Sequence, residues 1–252
     1  MNGDFLALLP KNPISQVSAS ASAPQFIQAT TVFAFHCREG VIIAGDHRAT
    51  AGNTIFSDKT EKILELDAHS LMAIAGVPAT AFEMARTLQT TFEFYRRSQL
   101  QSMSLPAKIR ALSKLLRDNL PATLQGFGVV APIFAGVELS DPEASPCIYF
   151  YDPLGAQFEA TSYAGSGSGS GSIKSVLHYV EKWGDPQPKD MTVQQATILA
   201  IRLLMTAAEF DSATGGVSPE NDLFATIKLL TRDGIRTIDF KEQERCWKEA
   251  RK

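Results

Sequence analysis

Along the chain the apolar positions change period several times, and each change marks a new element. Two strand-like runs, Thr31-Val-Phe-Ala-Phe35 and Val41-Ile-Ile-Ala-Gly45, flank Arg38-Glu39-Gly40, which predicts a hairpin across residues 31–46. Residues 71–75 read as another strand ending at Gly76. From 77 to 98 Phe82, Met84, Ala85, Leu88, Phe92 and Tyr95 recur at offsets near three and four, which predicts a helix. A second helix is expected over 105–120, with Ile109, Leu112, Leu115 and Leu116 on one side. Strands are expected at 126–137, 147–151 and 157–163, with Asp152-Pro-Leu-Gly155 turning between the last two. Helices return at 172–183 and 192–209, then strands at 223–231 and 235–240 joined across Arg232-Asp233-Gly234. The order strands, two helices, strands, two helices, strands predicts an α+β protein, a pair of sheets with helices on the outer faces.

Residues 1–29 break this patterning. They hold Pro10, Pro13, Pro24 and the low-complexity stretch Ser18-Ala-Ser-Ala-Ser22-Ala, with no period long enough for an element. The apolar patch at 5–9 is too short for a signal-peptide core and lacks basic residues before it. The stretch is expected to be a removable pro-segment; a plain N-terminal tail is the alternative. Residues 30–240 then form one domain, and 241–252 a charged, helix-prone C-terminal tail carrying Trp247.

Composition narrows the function classes. A chain of 252 residues, 44% hydrophobic and 20% charged, supports one sizeable core. A net charge of −3 with interspersed signs gives no footprint for nucleic acid. Cys37, Cys147 and Cys246 lack metal-ligand spacing and suit a reducing compartment, so a cytoplasmic protein without a metal or other cofactor is expected. No apolar stretch approaches the ~20 residues of a membrane span.

Candidate chemistry gathers around Thr30. Asp46 lies sixteen positions after it and Lys62 sixteen further on. A threonine hydroxyl is a weak nucleophile without a base, and a threonine at a chain's own start can use its free α-amine. Removal of 1–29 would create that state. Read singly, each residue has an ordinary alternative. Thr30 could be a strand threonine, Asp46 a turn aspartate, Lys62 part of the charged surface Lys59-Thr-Glu61-Lys62, and Gly76 a turn glycine.

Taken together, Thr30-Thr-Val-Phe-Ala-Phe, Gly-Val-Ile-Ile-Ala-Gly45-Asp46-His-Arg-Ala-Thr50-Ala-Gly52-Asn53, Glu61-Lys62, Ile74-Ala-Gly76, Gly167-Ser168-Gly169-Ser170 and Asp211-Ser-Ala-Thr-Gly-Gly216 resemble the catalytic β subunit of the 20S proteasome. The resemblance spans roughly 30–240. The Asp-Ser-Ala-Thr-Gly-Gly block and the long helical region after Gly76 point to the bacterial, actinobacterial-type branch. It implies the four-layer αββα sandwich of N-terminal-nucleophile hydrolases, two antiparallel sheets flanked by helices. It also implies a threonine endopeptidase made as a zymogen, cleaved autocatalytically between Ala29 and Thr30.

In that scheme Thr30 supplies the nucleophile and the general base, and Lys62 a nearby positive charge paired with Asp46. Gly76 offers an oxyanion-hole N–H, while Ser168, Asp211 and Thr214 orient the amine. Ala49, Thr60, Leu64, Ile74 and Pro78 match pocket positions, with no acid or base among them, so apolar P1 side chains are favoured. Thr50 would bind the substrate backbone as an added strand. Four Gly-Ser pairs over 165–172 could equally be a flexible linker. Anchoring on Tyr163 and Val176-Leu177 selects Ser168, with Ser166 and Ser170 as alternatives. Asp211-Ser-Ala-Thr-Gly-Gly would also serve as a helix terminus with glycine just past it. Ala29 departs from the family's usual glycine, a change expected to slow processing.

The implied partners are copies of the chain in a heptameric β ring, two of which stack between α-subunit rings as a barrel. A ring-shaped ATPase activator and unfolded polypeptides are also implied, with no nucleic acid or membrane. A catalytically inactive ring subunit, the simpler two-ring bacterial relative of the proteasome, and an unrelated α/β domain are the competing readings.

Overall fold

The computed structural model describes residues 30–51, 54–221 and 223–251. The expected pro-segment, with Ala29, lies outside the described residues. One sheet has the order β10 (Tyr163–Gly167), β1 (Thr31–Cys37), β2 (Gly40–Gly45), β11 (Thr226–Thr231) and β12 (Gly234–Thr237), every neighbour antiparallel. The other runs β5 (Ile63–Asp67), β6 (Ser70–Ala73), β7 (Ile133–Gly136), β8 (Cys147–Tyr151) and β9 (Gln157–Ala160), also antiparallel. β3 (Ala49–Ala51) and β4 (Thr54–Ser57) form a separate ribbon. The helices are α1 (Pro78–Gln99), α2 (Leu105–Asp118), the short α3 (Leu120–Leu124), α4 (Ser170–Trp183), α5 (Val193–Phe210) and α6 (Phe240–Ala250).

Side-chain alternation along the strands builds the layers. In β1, Val32 and Ala34 join β2's Val41 and Ile43 in a core between the sheets, which Ile63, Leu71, Ala73, Ile133 and Ala135 complete from the second sheet. Phe33, Phe35 and Cys37 point the other way, into a core under α4, α5 and α6. On the second sheet Met72 and Phe134 alternate outward into a third core with Met84, Leu88, Phe92, Ile109 and Leu112 of α1 and α2. Both sheets are thus apolar on two faces, which is why their central strands read as continuous hydrophobic runs. Three cores separate four layers, the αββα arrangement expected.

Several elements differ from their expected bounds for local reasons. The strand expected over 126–137 contracts to β7, because Gly126 sits at φ +79° and Pro132 has no N–H to give a ladder. Only an isolated bridge, Gly76 to Val130, precedes it among the described residues. The strand expected over 157–163 is two strands in different sheets. β9 pairs with β8, and the chain then crosses at Thr161-Ser162 so that β10 pairs with β1. The ribbon β3–β4 and strand β5 went unforeseen, since β4 is exposed and β5 follows a charged run.

The Gly-Ser stretch is structured rather than a linker. Its first half completes β10, Gly169 precedes α4, and Ser170 opens that helix. Gly167 has φ +94°, and a Cβ there would lie 1.6 Å from the Thr30 carbonyl oxygen, so no other residue fits. α5 ends at Asp211 in an extended conformation rather than on a left-handed glycine as expected.

The segment set apart as a charged tail is α6, which opens on Asp239 capping the Glu242 N–H at 2.8 Å. Buried Trp247 donates from Nε1 to the Val217 carbonyl at 3.0 Å, and the Gln243 side-chain N–H bonds the carbonyls of Ala225 and Ile238. Trp247→Ala should therefore cost about 3–5 kcal/mol, read as a lowered midpoint in chemical denaturation.

Candidate active site

β1 begins at Thr31, so Thr30 stands at the lip of the first sheet, between the ends of β10 and β2, itself only 4% exposed. Its carbonyl accepts the Ser168 N–H at 3.1 Å. The next peptide N–H, that of Thr31, donates to Asp46 Oδ1 at 3.1 Å. Asp46 follows β2 directly, and the pairing of Val32 with Gly45 brings it beside the start of β1. Lys62, which immediately precedes β5, sends Nζ to the same Asp46 oxygen at 2.7 Å and to the Arg48 carbonyl at 2.5 Å. Both side chains are 1% exposed. Burial pushes the Lys62 ammonium below its ordinary pKa, and the Asp46 carboxylate opposes that shift.

Ser168, Asp211 and Thr214 meet on the other side of Thr30. The hydroxyls of Ser168 and Thr214 each donate to Asp211 Oδ2 at 2.6 Å, and the Ala213 N–H donates to Oδ1 at 3.1 Å. Burial alone would raise the Asp211 pKa. These donors, with the positive charge of Lys62, overcome it and hold the carboxyl below its ordinary value. Of the alternative serines, Ser166 donates to the Ala131 carbonyl and Ser170 starts α4.

Gly76 adopts φ +111°, and a Cβ there would come within 2.1 Å of the Val129 carbonyl. The bridge bonds run from Val77 N–H to Val129 and from Ala131 N–H to Ala75. They leave the Gly76 N–H pointing away from that bridge.

The residues expected to bind substrate lie on segments adjoining Lys62. Ile74 donates its N–H to the Lys62 carbonyl at 2.9 Å, and Thr60 donates its own to His47 at 3.0 Å. Leu64 and Ile74 pack into the core under α1, whose first residue is Pro78. Ala49 and Thr50, on β3, are buried. Among the described residues no group of three or more His, Cys, Asp or Glu is arranged to hold a metal ion.

Sequence reasoning missed three contributors. The Thr31 hydroxyl lies 2.5 Å from that of Thr214 and accepts the Gly169 N–H at 3.1 Å. Gly215 and Arg48 give backbone N–H groups to Asp46 Oδ2 at 2.8 and 2.9 Å. The Thr-Thr doublet was the available signal for Thr31; Arg48 and Gly215 lay inside the sequence blocks around Asp46 and Asp211, but nothing in them marked a backbone N–H as a donor to Asp46.

Two antiparallel sheets stacked between helical layers, with this cluster at the start of β1, define the class of N-terminal-nucleophile hydrolase folds. Residues 27–218 match the family model described as proteasome subunit. The chain is 37% identical to proteasome subunit beta 2 of Thermomonospora curvata, over 93% of this chain and 80% of that protein. It is 36% identical to proteasome subunit beta of Stackebrandtia nassauensis, over 94% and 82%, and 32% identical to that of Streptomyces griseus, over 95% and 83%. The chain therefore belongs to the proteasome subunit family, among the β subunits of the bacterial, actinobacterial-type branch.

Asp46→Asn would leave the buried Lys62 ammonium without a counter-charge. A loss of about 3–5 kcal/mol in denaturant unfolding is expected, against a much smaller one for an exposed pair such as Lys114–Asp118. The depressed Asp211 carboxyl contributes stability that is complete above its ordinary pKa of 3.8 and lost as pH falls below that through its folded value. The stability gap between wild type and Asp211→Asn should accordingly narrow on acidification below about 3.8, followed by thermal melts across that range.

Proposed function

We propose that the chain is a threonine endopeptidase subunit of a barrel-shaped 20S proteasome, activated by removal of residues 1–29. The observation that carries it is the convergence on one strand start of Thr30, the buried Lys62–Asp46 pair and the Ser168–Asp211–Thr214 cluster. In the precursor, Thr30 Oγ attacks the Ala29 carbonyl; the peptide becomes an ester, and water hydrolyses it. The Thr30 amine is then free. In the mature subunit that amine takes the Oγ proton as the oxygen attacks a scissile carbonyl, and returns it to the leaving amine. Water then cleaves the acyl ester.

Lys62 suits the task because two of its three protons are held by Asp46 and Arg48, which leaves the third for the nucleophile. Its charge lowers the cost of the alkoxide and disfavours a second ammonium nearby. The Gly76 N–H, unused by its bridge, would meet the developing oxyanion, a donor typically worth ~3–4 kcal/mol. Ala49, Thr60, Leu64, Ile74 and Pro78 carry no charge, which favours an apolar P1 side chain, and Thr50 on β3 would pair with the substrate backbone. The same proposal extends to a barrel with heptameric β rings between α rings, an ATPase activator, unfolded substrates and a cytoplasmic location; membership of the proteasome subunit family supports assembly with other such subunits. Among the described residues no helix is long and apolar enough to cross a membrane.

Co-expression with an α subunit, followed by intact mass and N-terminal sequencing, tests this. The wild-type chain should begin at Thr30, and Thr30→Ala should keep its full length and lack peptidase activity. A wild-type chain left uncleaved in assembled rings would instead mark an inactive structural subunit.

A further inference from the structure

Thr31 is fully buried, and every polar group it carries is bonded toward one of the two charged centres. Its N–H donates to Asp46 Oδ1, and its carbonyl accepts the Asp46 N–H at 3.3 Å. Its hydroxyl accepts the Gly169 N–H and lies 2.5 Å from the Thr214 hydroxyl.

The direction of that last bond follows from proton counting. The Thr214 hydroxyl has one proton, and it goes to the Asp211 carboxylate, which only accepts. Thr31 must therefore be the donor. The bonds run one way, from the Gly169 N–H to the Thr31 hydroxyl, to the Thr214 hydroxyl, to Asp211. Aligned in this sense, each bond polarises the next, and the chain ends on the carboxylate that also holds Ser168. There is no slack in it. A Cβ on Gly169 would lie 2.5 Å from Thr214 Oγ1 and 2.7 Å from Thr31 Oγ1.

We propose that Thr31 is a positioning residue for the reaction at Thr30, its hydroxyl locking the nucleophile's backbone to the Asp211 centre while its N–H locks it to the Asp46–Lys62 centre. This rests on Thr30 being the nucleophile. Thr30 is otherwise held through its carbonyl, by the Ser168 N–H, so its rotation is set by the peptide that Thr31 anchors. A nucleophile must be kept in near-attack geometry without engaging its reacting atoms, and a buried neighbour bonded on both sides does so. Thr31 reaches no substrate, so its loss should appear in kcat.

The test uses the assembled particle with wild type, Thr30→Ala and three Thr31 variants, measuring peptide hydrolysis and N-terminal processing. Thr31→Val keeps the shape and removes the hydroxyl, so kcat should fall about tenfold, as one lost hydrogen bond allows, with KM within about twofold. Thr31→Ser keeps the hydroxyl and should stay near wild type. Wild-type kcat in T31V, or an equal loss in T31S and T31V, overturns the proposal. Should T31V not assemble, T31S and T31A carry the comparison, since both lose the methyl and only T31A loses the hydroxyl; equal kcat in the two overturns it. Hydrolysis persisting in Thr30→Ala would overturn the nucleophile assignment itself, whatever the Thr31 variants do.

Discussion

The carboxylate of Asp46 is the constraint on which the site depends. It is 1% exposed and accepts four donors, the Thr31 N–H and Lys62 Nζ on one oxygen and the N–H groups of Arg48 and Gly215 on the other. A buried ion pair costs several kcal/mol of desolvation per ion, which its Coulomb attraction offsets only when the remaining lone pairs are also satisfied. Here they are. The four donors come from the start of β1, the turn after β2, the approach to β5 and the loop after α5, so one side chain ties together segments far apart in sequence. Close approach is part of the arrangement. A Cβ on Gly45 would lie 2.9 Å from Val32 Cγ1, and one on Gly215 would lie 3.2 Å from the Arg48 Cβ.

Layer packing sets the distance between the two halves of the site. Thr30 belongs to the first sheet and Lys62 leads into the second, so their separation is fixed by the core between the sheets. Val32 and Ile43 face Ile63 and Leu71 there, all of them fully buried. Close-packed interiors transmit small volume changes as displacements. A cavity beneath Ile63 would therefore disturb the placement of the neighbouring Lys62 as well as the core. Just past β6 of the second sheet lies Gly76, which adopts φ +111° in its isolated bridge to Val130.

Much of this was legible in the sequence where a single period governs a segment. The hairpin of β1 and β2 and helices α1, α2, α4 and α5 follow from alternation or helical spacing, because each buries a continuous face. The crossing between β9 and β10 was not legible, since Gln157 to Tyr163 keeps one strand-like character while its partners change sheet. β4 was missed for the opposite reason, its residues being exposed. In the site, Asp46 and Lys62 could be picked out by their offsets from Thr30 together with the family resemblance, and the structure bonds Asp46 both to the Thr31 N–H and to Lys62. Ser168 needed anchoring among repeated Gly-Ser pairs, and its bond to Asp211 distinguishes it from its neighbours. The Thr31 hydroxyl had no local signal beyond the doublet, because its partners are 138 and 183 positions away.

In the proposed mechanism the two charged centres would act on the Thr30 amine in opposite senses, which bears on how it would work near neutral pH. A free α-amine has an ordinary pKa of ~7.7–8.0, so a modest net field decides whether it can act as a base. In the proposed mature subunit a positive Lys62, which shares Asp46 Oδ1 with the Thr31 N–H, would lower that value, and an ionised Asp211 would raise it. The first is buried and little screened, whereas the second is only partly buried and has its charge spread over donors from Ser168, Thr214 and Ala213. In that proposal the Asp211 carboxylate, kept ionised by its donors, would chiefly orient the hydroxyls of Ser168 and Thr214 that bond it.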